Sequence, residues 1–219
     1  MGWFNLKGFT KFLLLLFSIF LILTAAYFTL LYPRHQYPNI QVSSGPIDIK
    51  SQITKKLPKK FSLANKKLTF DVELSAEALE GELVSRLSKY KNVQKVDVVI
   101  SHSSIRIFML QKTLKYIPYE ITLELNPKIK DGEMVLLLES SKLGRLNLSR
   151  EMVLNKLKEL KLNGMEVRPS ESEIVLDYNK LKDIILINNI KLEENKLIAE
   201  LQLEFNSLED FLKVLNLLT

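Results

Sequence analysis

The sequence predicts an α+β protein in which a long, curved antiparallel sheet cradles amphipathic helices, preceded by one N-terminal transmembrane helix. Three observations support this class: an uncharged apolar run near the N-terminus, several strand-like runs of period two, and three helical stretches that each follow a serine. At 219 residues the chain has room for one membrane segment and one domain that buries its own core.

The apolar run covers residues 12–31 and contains no charge, proline or glycine. About 20 apolar residues match the ~30 Å hydrocarbon core of a bilayer. Lys7 and Lys11 precede the run and no acid does, so the positive-inside rule predicts a cytoplasmic tail (residues 1–11) and an extracellular C-terminal domain. The alternative is a cleavable signal peptide with a small-residue site near Ala26, and whether the segment is cleaved stays open.

Residues 32–65 are predicted to be a linker because prolines and small polar residues are frequent there, and residues 66–219 form the predicted extracytoplasmic domain. In that domain apolar residues alternate with polar ones, most regularly from Leu68 to Leu74, from Ile117 to Leu125 and from Leu197 to Phe205. One apolar face per strand is typical of an antiparallel sheet covered on one side. Asp131-Gly132, between two such runs, predicts a hairpin.

Amphipathic helices are predicted after Ser75, Ser149 and Ser207, each serine serving as the N-cap. Their apolar faces, together with strand residue Phe108, amount to more apolar surface than one side of a sheet needs. Ordinary core packing is one interpretation, and a groove for an acyl chain is the sharper one. The candidate groove residues are Leu79, Leu83, Leu87, Phe108, Val153, Leu157, Phe211 and Leu215.

Catalytic motifs are missing from the sequence. It has no cysteine, which excludes thiolate catalysis and disulfides, and it has no P-loop, dinucleotide fingerprint or HExxH motif. His102 lies in Ser-His-Ser-Ser, a composition typical of a turn. Glu120 and Glu124 share one strand face, which is interpreted as a solvated outer face. We therefore expect no enzyme activity, no catalytic residue, no cofactor and no metal site.

The net charge of +6 is spread along the chain, whereas nucleic-acid binding requires a clustered basic face, so no nucleic-acid partner is expected. The stretch KLGRLNLSREMVLNKL begins at Lys142 and contains an abrupt change from strand to helix. Gly144 is expected to allow the bend there. Arg145 is interpreted as a solvated residue at the rim of the sheet and not as a ligand contact.

The block that starts IPYEITLELNPKIKDGEMVLLLESSKLGRLNLS at Ile117 resembles the YpmS family of Gram-positive bacteria. The matching positions are Pro118, Leu123, Pro127, Gly144, Leu146, Leu148, Pro169 and Leu181. The resemblance implies a short tail, one membrane segment and an exported domain. Its layout is similar, by analogy, to tubular lipid-binding (TULIP) domains. The resemblance carries no established activity, and fold alone does not fix function.

Together these observations favour a membrane-anchored extracytoplasmic, non-enzymatic domain that binds a lipid or a lipid-linked cell-envelope component. The alternative is a protein-interaction scaffold for a cell-envelope enzyme. The sequence identifies neither the ligand nor a protein partner, and it does not determine whether a ligand is bound at all or what the oligomeric state is.

Overall fold

A computed structural model describes residues 6–38, 60–62, 67–88, 90, 92–113, 116–130, 132–160, 165–176 and 185–204. The described helices are α1 (Leu6–Leu30), α2 (Ala76–Leu87) and α3 (Arg150–Glu159), with a 3-10 turn at Pro169–Glu171. The strands are β1 (Lys60–Ser62), β2 (Lys67–Ser75), β3 (Val93–Ile100), β4 (Ile105–Thr113), β5 (Ile117–Lys130), β6 (Glu133–Leu143), β7 (Leu146–Asn147), β8 (Met165–Arg168), β9 (Glu173–Leu176), β10 (Ile185–Glu193) and β11 (Lys196–Glu204).

The predicted α+β class with extensive antiparallel pairing is confirmed, but the described strands form two sheets where one was expected. The smaller sheet has the order β1-β2-β11-β10. The larger sheet has the order β3-β4-β5-β6-β9-β8, with β7 paired to β6. Every described pairing is antiparallel.

The division into two sheets arises where β2 ends. Ser75 is the last residue of β2 and also the N-cap of α2, so the chain enters a helix there instead of turning into a neighbouring strand. β2 then pairs along its whole length with β11, from Lys67 opposite Glu204 to Ser75 opposite Lys196. Such long-range pairing leaves no local signature in the sequence, because alternation shows which face is buried but not which strand is the neighbour.

The hairpin predicted at Asp131-Gly132 is confirmed, and a second hairpin joins β10 to β11. Lys130 pairs with Glu133 across the Asp131-Gly132 turn, and Gly132 has a φ of +76°. Glu193 likewise pairs with Lys196, and Asn195 between them has a φ of +63°. Glycine and asparagine are the residues that adopt this left-handed conformation most readily, which explains why they occupy these two turns.

Serine N-caps begin both described domain helices, as predicted. The Ser75 hydroxyl accepts a hydrogen bond from the Ala78 N–H at 3.2 Å, and the Ser149 hydroxyl accepts one from the Met152 N–H at 3.5 Å. Each satisfies a backbone donor that the first helical turn leaves without an intrahelical partner. The helix predicted after Ser207 lies outside the described residues.

The core is built from the inner faces of the strands together with α2 and α3. Its largest fully buried side chains are Ile100, Leu138, Leu154 and Leu197. α3 contributes Leu154, whereas Val153 and Leu157, which the sequence placed on the inner face, are only partly buried against the core. The most buried position of α3 is therefore Leu154, one residue after Val153.

α1 is long and apolar enough, by length and composition, to cross a membrane. Its apolar part, Lys11–Leu30, has 20 residues with a mean hydropathy of 2.5, and no residue of its most apolar window is buried. Toward its C-terminal end, Thr24, Ala26 and Tyr27 are partly buried. The C-terminal end of α1 is thus the point at which the apolar helix meets the domain.

Candidate functional site

The last turn of α1 is fixed to the larger sheet by two hydrogen bonds. The Tyr27 hydroxyl donates to the carbonyl of Pro118, the second residue of β5, at 2.7 Å. The backbone N–H of Arg145 donates to the Leu30 carbonyl at 2.7 Å. A helix C-terminus leaves its last carbonyls without intrahelical partners, so Arg145 satisfies one of them.

Gly144 allows this contact because it has no side chain. A Cβ at this position would collide with the Leu30 carbonyl and would lie 2.8 Å from the Leu31 Cα. Its φ of +57° is in addition a conformation that L residues rarely adopt. Its N–H donates to the Glu120 carbonyl at 2.7 Å. The bend expected at Gly144 is present, and the C-terminal end of α1 packs against it.

Beyond α1, residues 33–38 lie on the outer face of the larger sheet, within the range predicted to be a linker. The imidazole of His35 stacks on Phe108 of β4, with ring centroids 3.8 Å apart and planes 2° from parallel. The Tyr37 ring meets the same imidazole edge-on at 4.9 Å. Phe108 alternates along β4 with Ile107 and Met109, which pack on the core, so it belongs to the opposite face.

A group of polar side chains surrounds this stack, and we call it the junction cluster: His35, Tyr37, Glu80, Asp97 and Glu120. Its three carboxylates are buried, with exposed fractions of 7–8%. His35 Nε2 hydrogen-bonds to an Asp97 carboxylate oxygen. The Tyr37 hydroxyl and the His35 backbone N–H both donate to Glu120 Oε2, at 3.1 and 3.3 Å.

Glu80 brings α2 into the cluster. Its carboxylate accepts the Val98 backbone N–H of β3, the outer strand of the larger sheet, and hydrogen bonds with Asp97. Burial, and then the neighbouring negative charge of Asp97, raise the pKa of Glu80. Burial, and then the charge of Glu120, likewise raise the pKa of Tyr37 far above its ordinary value, so this phenol stays protonated.

The interpretation of Glu120 and Glu124 as solvated is wrong for Glu120, which is 7% exposed. Glu124 is partly buried and accepts hydrogen bonds from the hydroxyls of Ser104 and Ser140, at 3.1 and 3.0 Å. The two acids alternate with the apolar face as predicted, but residues 33–38 cover part of the outer face. The polar face of β5 is therefore partly covered by the chain and is not fully exposed to solvent.

The junction cluster is suited to holding the segment that follows α1 against the sheet. Its carboxylates accept hydrogen bonds from that segment or from the backbone, and every buried side-chain N or O atom among the described residues has a partner. Within the described part of the chain there is no group of three or more His, Cys, Asp or Glu residues arranged to hold a metal ion. His102 is exposed in the β3–β4 turn.

The proposed groove residues fall into three groups. Those of α2 and α3 are partly buried and pack against the core; they are Leu79, Leu83, Leu87, Val153 and Leu157. Phe108 lies on the other face of the sheet, under His35. Phe211 and Leu215 lie outside the described residues. The structure thus does not bring Phe108 together with the leucines of α2 and α3.

Sequence reasoning missed Asp97 and the partners of Glu120. One signal was present: Asp97 interrupts the apolar run Val96-Asp97-Val98-Val99-Ile100, where a lone acid suggests a specific partner. The partner, His35, is 62 positions away, and no local pattern links the two. Their pairing depends on where the tertiary fold places the end of α1.

No family model matches this chain, and no curated protein or solved structure matches it significantly. The resemblance to the YpmS family therefore stays a prediction drawn from the sequence. Two of the positions on which this resemblance rests contact α1. Gly144 lies against the end of the helix, and the Pro118 carbonyl accepts a hydrogen bond from the Tyr27 hydroxyl.

Proposed function

We propose that this protein is a single-pass membrane protein whose extracytoplasmic domain binds a lipid or a lipid-linked cell-envelope component, without enzymatic activity. The observation that carries the proposal is the attachment of α1 to the larger sheet. Two hydrogen bonds and the close approach at Gly144 fix the end of an apolar, membrane-length helix to the domain. Because α1 is fixed to the domain, the same edge of the domain always faces the bilayer.

The junction cluster supports this proposal because it extends the attachment past the helix. Stacking of His35 on Phe108 and hydrogen bonding of Tyr37 to Glu120 keep residues 33–38 on the sheet. The domain is then not tethered at a distance by a free linker, and its orientation toward lipids is fixed. We propose in addition that the sheets curve around α2 and α3, so that the ligand's acyl chain enters beside Leu79, Leu83 and Val153.

The test is to express the full chain in a Gram-positive host, purify it in a mild detergent and identify bound lipids by mass spectrometry. We expect one lipid class to co-purify in a fixed molar ratio after exhaustive detergent exchange. A second preparation carrying Leu83→Ala shortens one of the proposed contacts and should retain less of that lipid, and circular dichroism checks that this variant is folded. Absence of any enriched lipid in the unmodified protein would overturn the proposal.

A scaffold for an envelope enzyme is the second candidate, and one observation favours it. Among the described strands β10 is the outer one of the smaller sheet, and its residue Leu186 is 41% exposed. Outer strands offer unpaired backbone groups to which another chain can add a strand. Cross-linking in cells from a photoreactive residue at position 186 tests it: one stoichiometric protein product, with no bound lipid, favours the scaffold over lipid binding.

A further inference from the structure

We infer that the start of β5, together with Tyr116 just before it, lies within the headgroup layer of the bilayer and contacts anionic lipids. The contact surface, here called the membrane rim, consists of Lys95, Lys112, Tyr116, Ile117, Arg145 and Leu146. This inference rests on the proposed membrane anchor but not on the proposed lipid ligand.

The direction of β5 relative to α1 supplies the first step. Tyr27 bonds to Pro118, and Leu30 bonds to Arg145, whose neighbour Gly144 bonds to Glu120. Further along, His35 stacks on Phe108, which pairs with Thr122. Successive positions along the N-terminal segment therefore meet successive positions along β5. The beginning of β5 points back along α1, toward its apolar middle.

The depth of this end of the sheet follows from helix geometry. Tyr27 lies three residues before the last residue of α1, or about 4.5 Å along the axis at 1.5 Å per residue. Helical side chains also tilt toward the N-terminus, so its hydroxyl lies deeper still. Because that hydroxyl touches Pro118, the start of β5 lies at or below the boundary of the apolar helix. Tyr116 precedes Pro118 by two residues and continues in the same direction.

The exposure of the rim residues fits a lipid environment. Tyr116 is 83% exposed, Ile117 40% and Leu146 41%, all on the side of the domain next to α1. Tyrosine is enriched at the membrane–water boundary, where its ring is buried among lipids and its hydroxyl is hydrated. The membrane–water boundary would therefore stabilise the exposed side chains of both Tyr116 and Ile117.

The charge of the rim selects anionic headgroups. In residues 92–95, 111–113, 116–120 and 142–147 the sequence has four bases, Lys95, Lys112, Lys142 and Arg145, and one acid, Glu120. Glu120 is buried in the junction cluster, so it does not offset the bases at the surface. Basic residues near a bilayer are attracted to anionic lipids. Arg145 thus has two contacts assigned: its backbone to Leu30, and its side chain to the headgroups.

Depth measurement on the full chain tests the inference. Because the chain has no cysteine, single spin labels can be introduced by Tyr116→Cys, Lys128→Cys and Ser18→Cys. Lys128 is exposed near the far end of β5, and Ser18 lies in the middle of the apolar helix. The labelled chains are reconstituted in nanodiscs of phosphatidylcholine with phosphatidylglycerol, and relaxation by oxygen is compared with relaxation by a water-soluble nickel chelate.

We expect the label at position 116 to be severalfold less accessible to the nickel chelate than the label at position 128, and less oxygen-accessible than the label at position 18. Equal nickel accessibility at 116 and 128, with position 18 buried in lipid, would overturn the rim while leaving the anchor intact. An aqueous signal at position 18 would overturn the anchor and the rim together. Neither result depends on whether a lipid ligand co-purifies.

The charge component has its own comparison. Arg145→Glu reverses one rim charge but keeps the backbone N–H that bonds to Leu30, and Lys128→Glu is the matched change at the far end. We expect Arg145→Glu to raise nickel accessibility at position 116 in nanodiscs that contain phosphatidylglycerol, and Lys128→Glu to leave it unchanged. An equal effect of both substitutions would contradict recognition of anionic headgroups by the rim. Circular dichroism establishes that each variant is folded.

Discussion

His35 lies flat on Phe108, with the two ring planes 2° from parallel, while its Nε2 contacts the buried carboxylate of Asp97. One side chain from the segment after the apolar helix therefore makes an aromatic contact and a polar contact with two neighbouring strands. The pair Asp97 and Phe108 is directly opposed in the β3–β4 ladder, which is why a single imidazole reaches both.

Replacing His35 by phenylalanine separates these two contacts. His35→Phe keeps a ring above Phe108 but leaves Asp97 without its imidazole partner, and we expect a loss of about 1–3 kcal/mol in unfolding free energy. The matched control is His102→Phe, because His102 is the other histidine of the chain and is exposed. We expect a change within about 0.5 kcal/mol there. Unfolding in detergent micelles measures both, and equal losses would contradict the assigned contact.

Gly144 and Gly132 offer a second matched pair, since both have positive φ angles. Alanine at Gly132 meets nothing within 4 Å, whereas alanine at Gly144 meets the backbone of Leu30 and Leu31. We expect Gly132→Ala to cost only backbone strain, about 1–2 kcal/mol, and Gly144→Ala to cost clearly more. A label on residue 28 should also become more mobile in Gly144→Ala alone. Equal stability losses in the two variants would argue against close docking of α1.

Glu80→Gln should stabilise the protein at neutral pH. The pKa of Glu80 is raised in the folded state, so the folded protein binds a proton more tightly than the unfolded chain does. The resulting penalty is absent below the unfolded pKa of about 4.5 and grows as pH rises toward the folded pKa. Glutamine keeps an acceptor for the Val98 N–H and has no charge to bury.

Thermal unfolding of both proteins from pH 4 to pH 8 checks this expectation. The gain from Glu80→Gln should be present at about pH 7 and should shrink toward zero as the pH falls below about 4.5. A substitution that is destabilising at every pH would show that the Glu80 carboxylate is required in its charged form.

Tyr37→Phe should change the alkaline limit of stability. The pKa of Tyr37 is raised in the folded state, so above about pH 10 the unfolded chain loses this proton while the folded protein keeps it. Stability should therefore fall with pH by about 1.4 kcal/mol per unit through this one group. Tyr37→Phe removes that slope, and Tyr116→Phe, at an 83% exposed position, should not. Identical slopes in the two variants between pH 10 and 11 would refute the raised pKa of Tyr37.

Leu154 tests whether α3 is part of the core. Leu154 is 0% exposed, and Leu154→Ala should cost about 2–5 kcal/mol because it leaves a cavity. Met152 lies two positions away on the same helix and is 49% exposed, so Met152→Ala should cost far less. Thermal unfolding compares them. A small loss for Leu154→Ala would mean that α3 detaches easily from the sheet, as the cover of a groove would.

Several elements could be predicted from the sequence because their causes are local. Alternation of apolar residues marked β5 and β11, and serine hydroxyls marked the starts of α2 and α3. Asp131-Gly132 marked a hairpin because a two-residue turn needs positive φ angles. The apolar run of α1 marked a candidate membrane span by its length alone.

The sequence by itself determined several of the strands, the starts of α2 and α3 and the presence of one long apolar helix, since propensity, capping and periodicity act over a few residues. Only the tertiary structure decided that β2 joins β11 in a separate sheet, and that the end of α1 lies on Gly144. It also decided that Glu120 is buried under Tyr37 and that Asp97 meets His35. These contacts join residues far apart in the chain, and packing selects them because each buried carboxylate needs a donor.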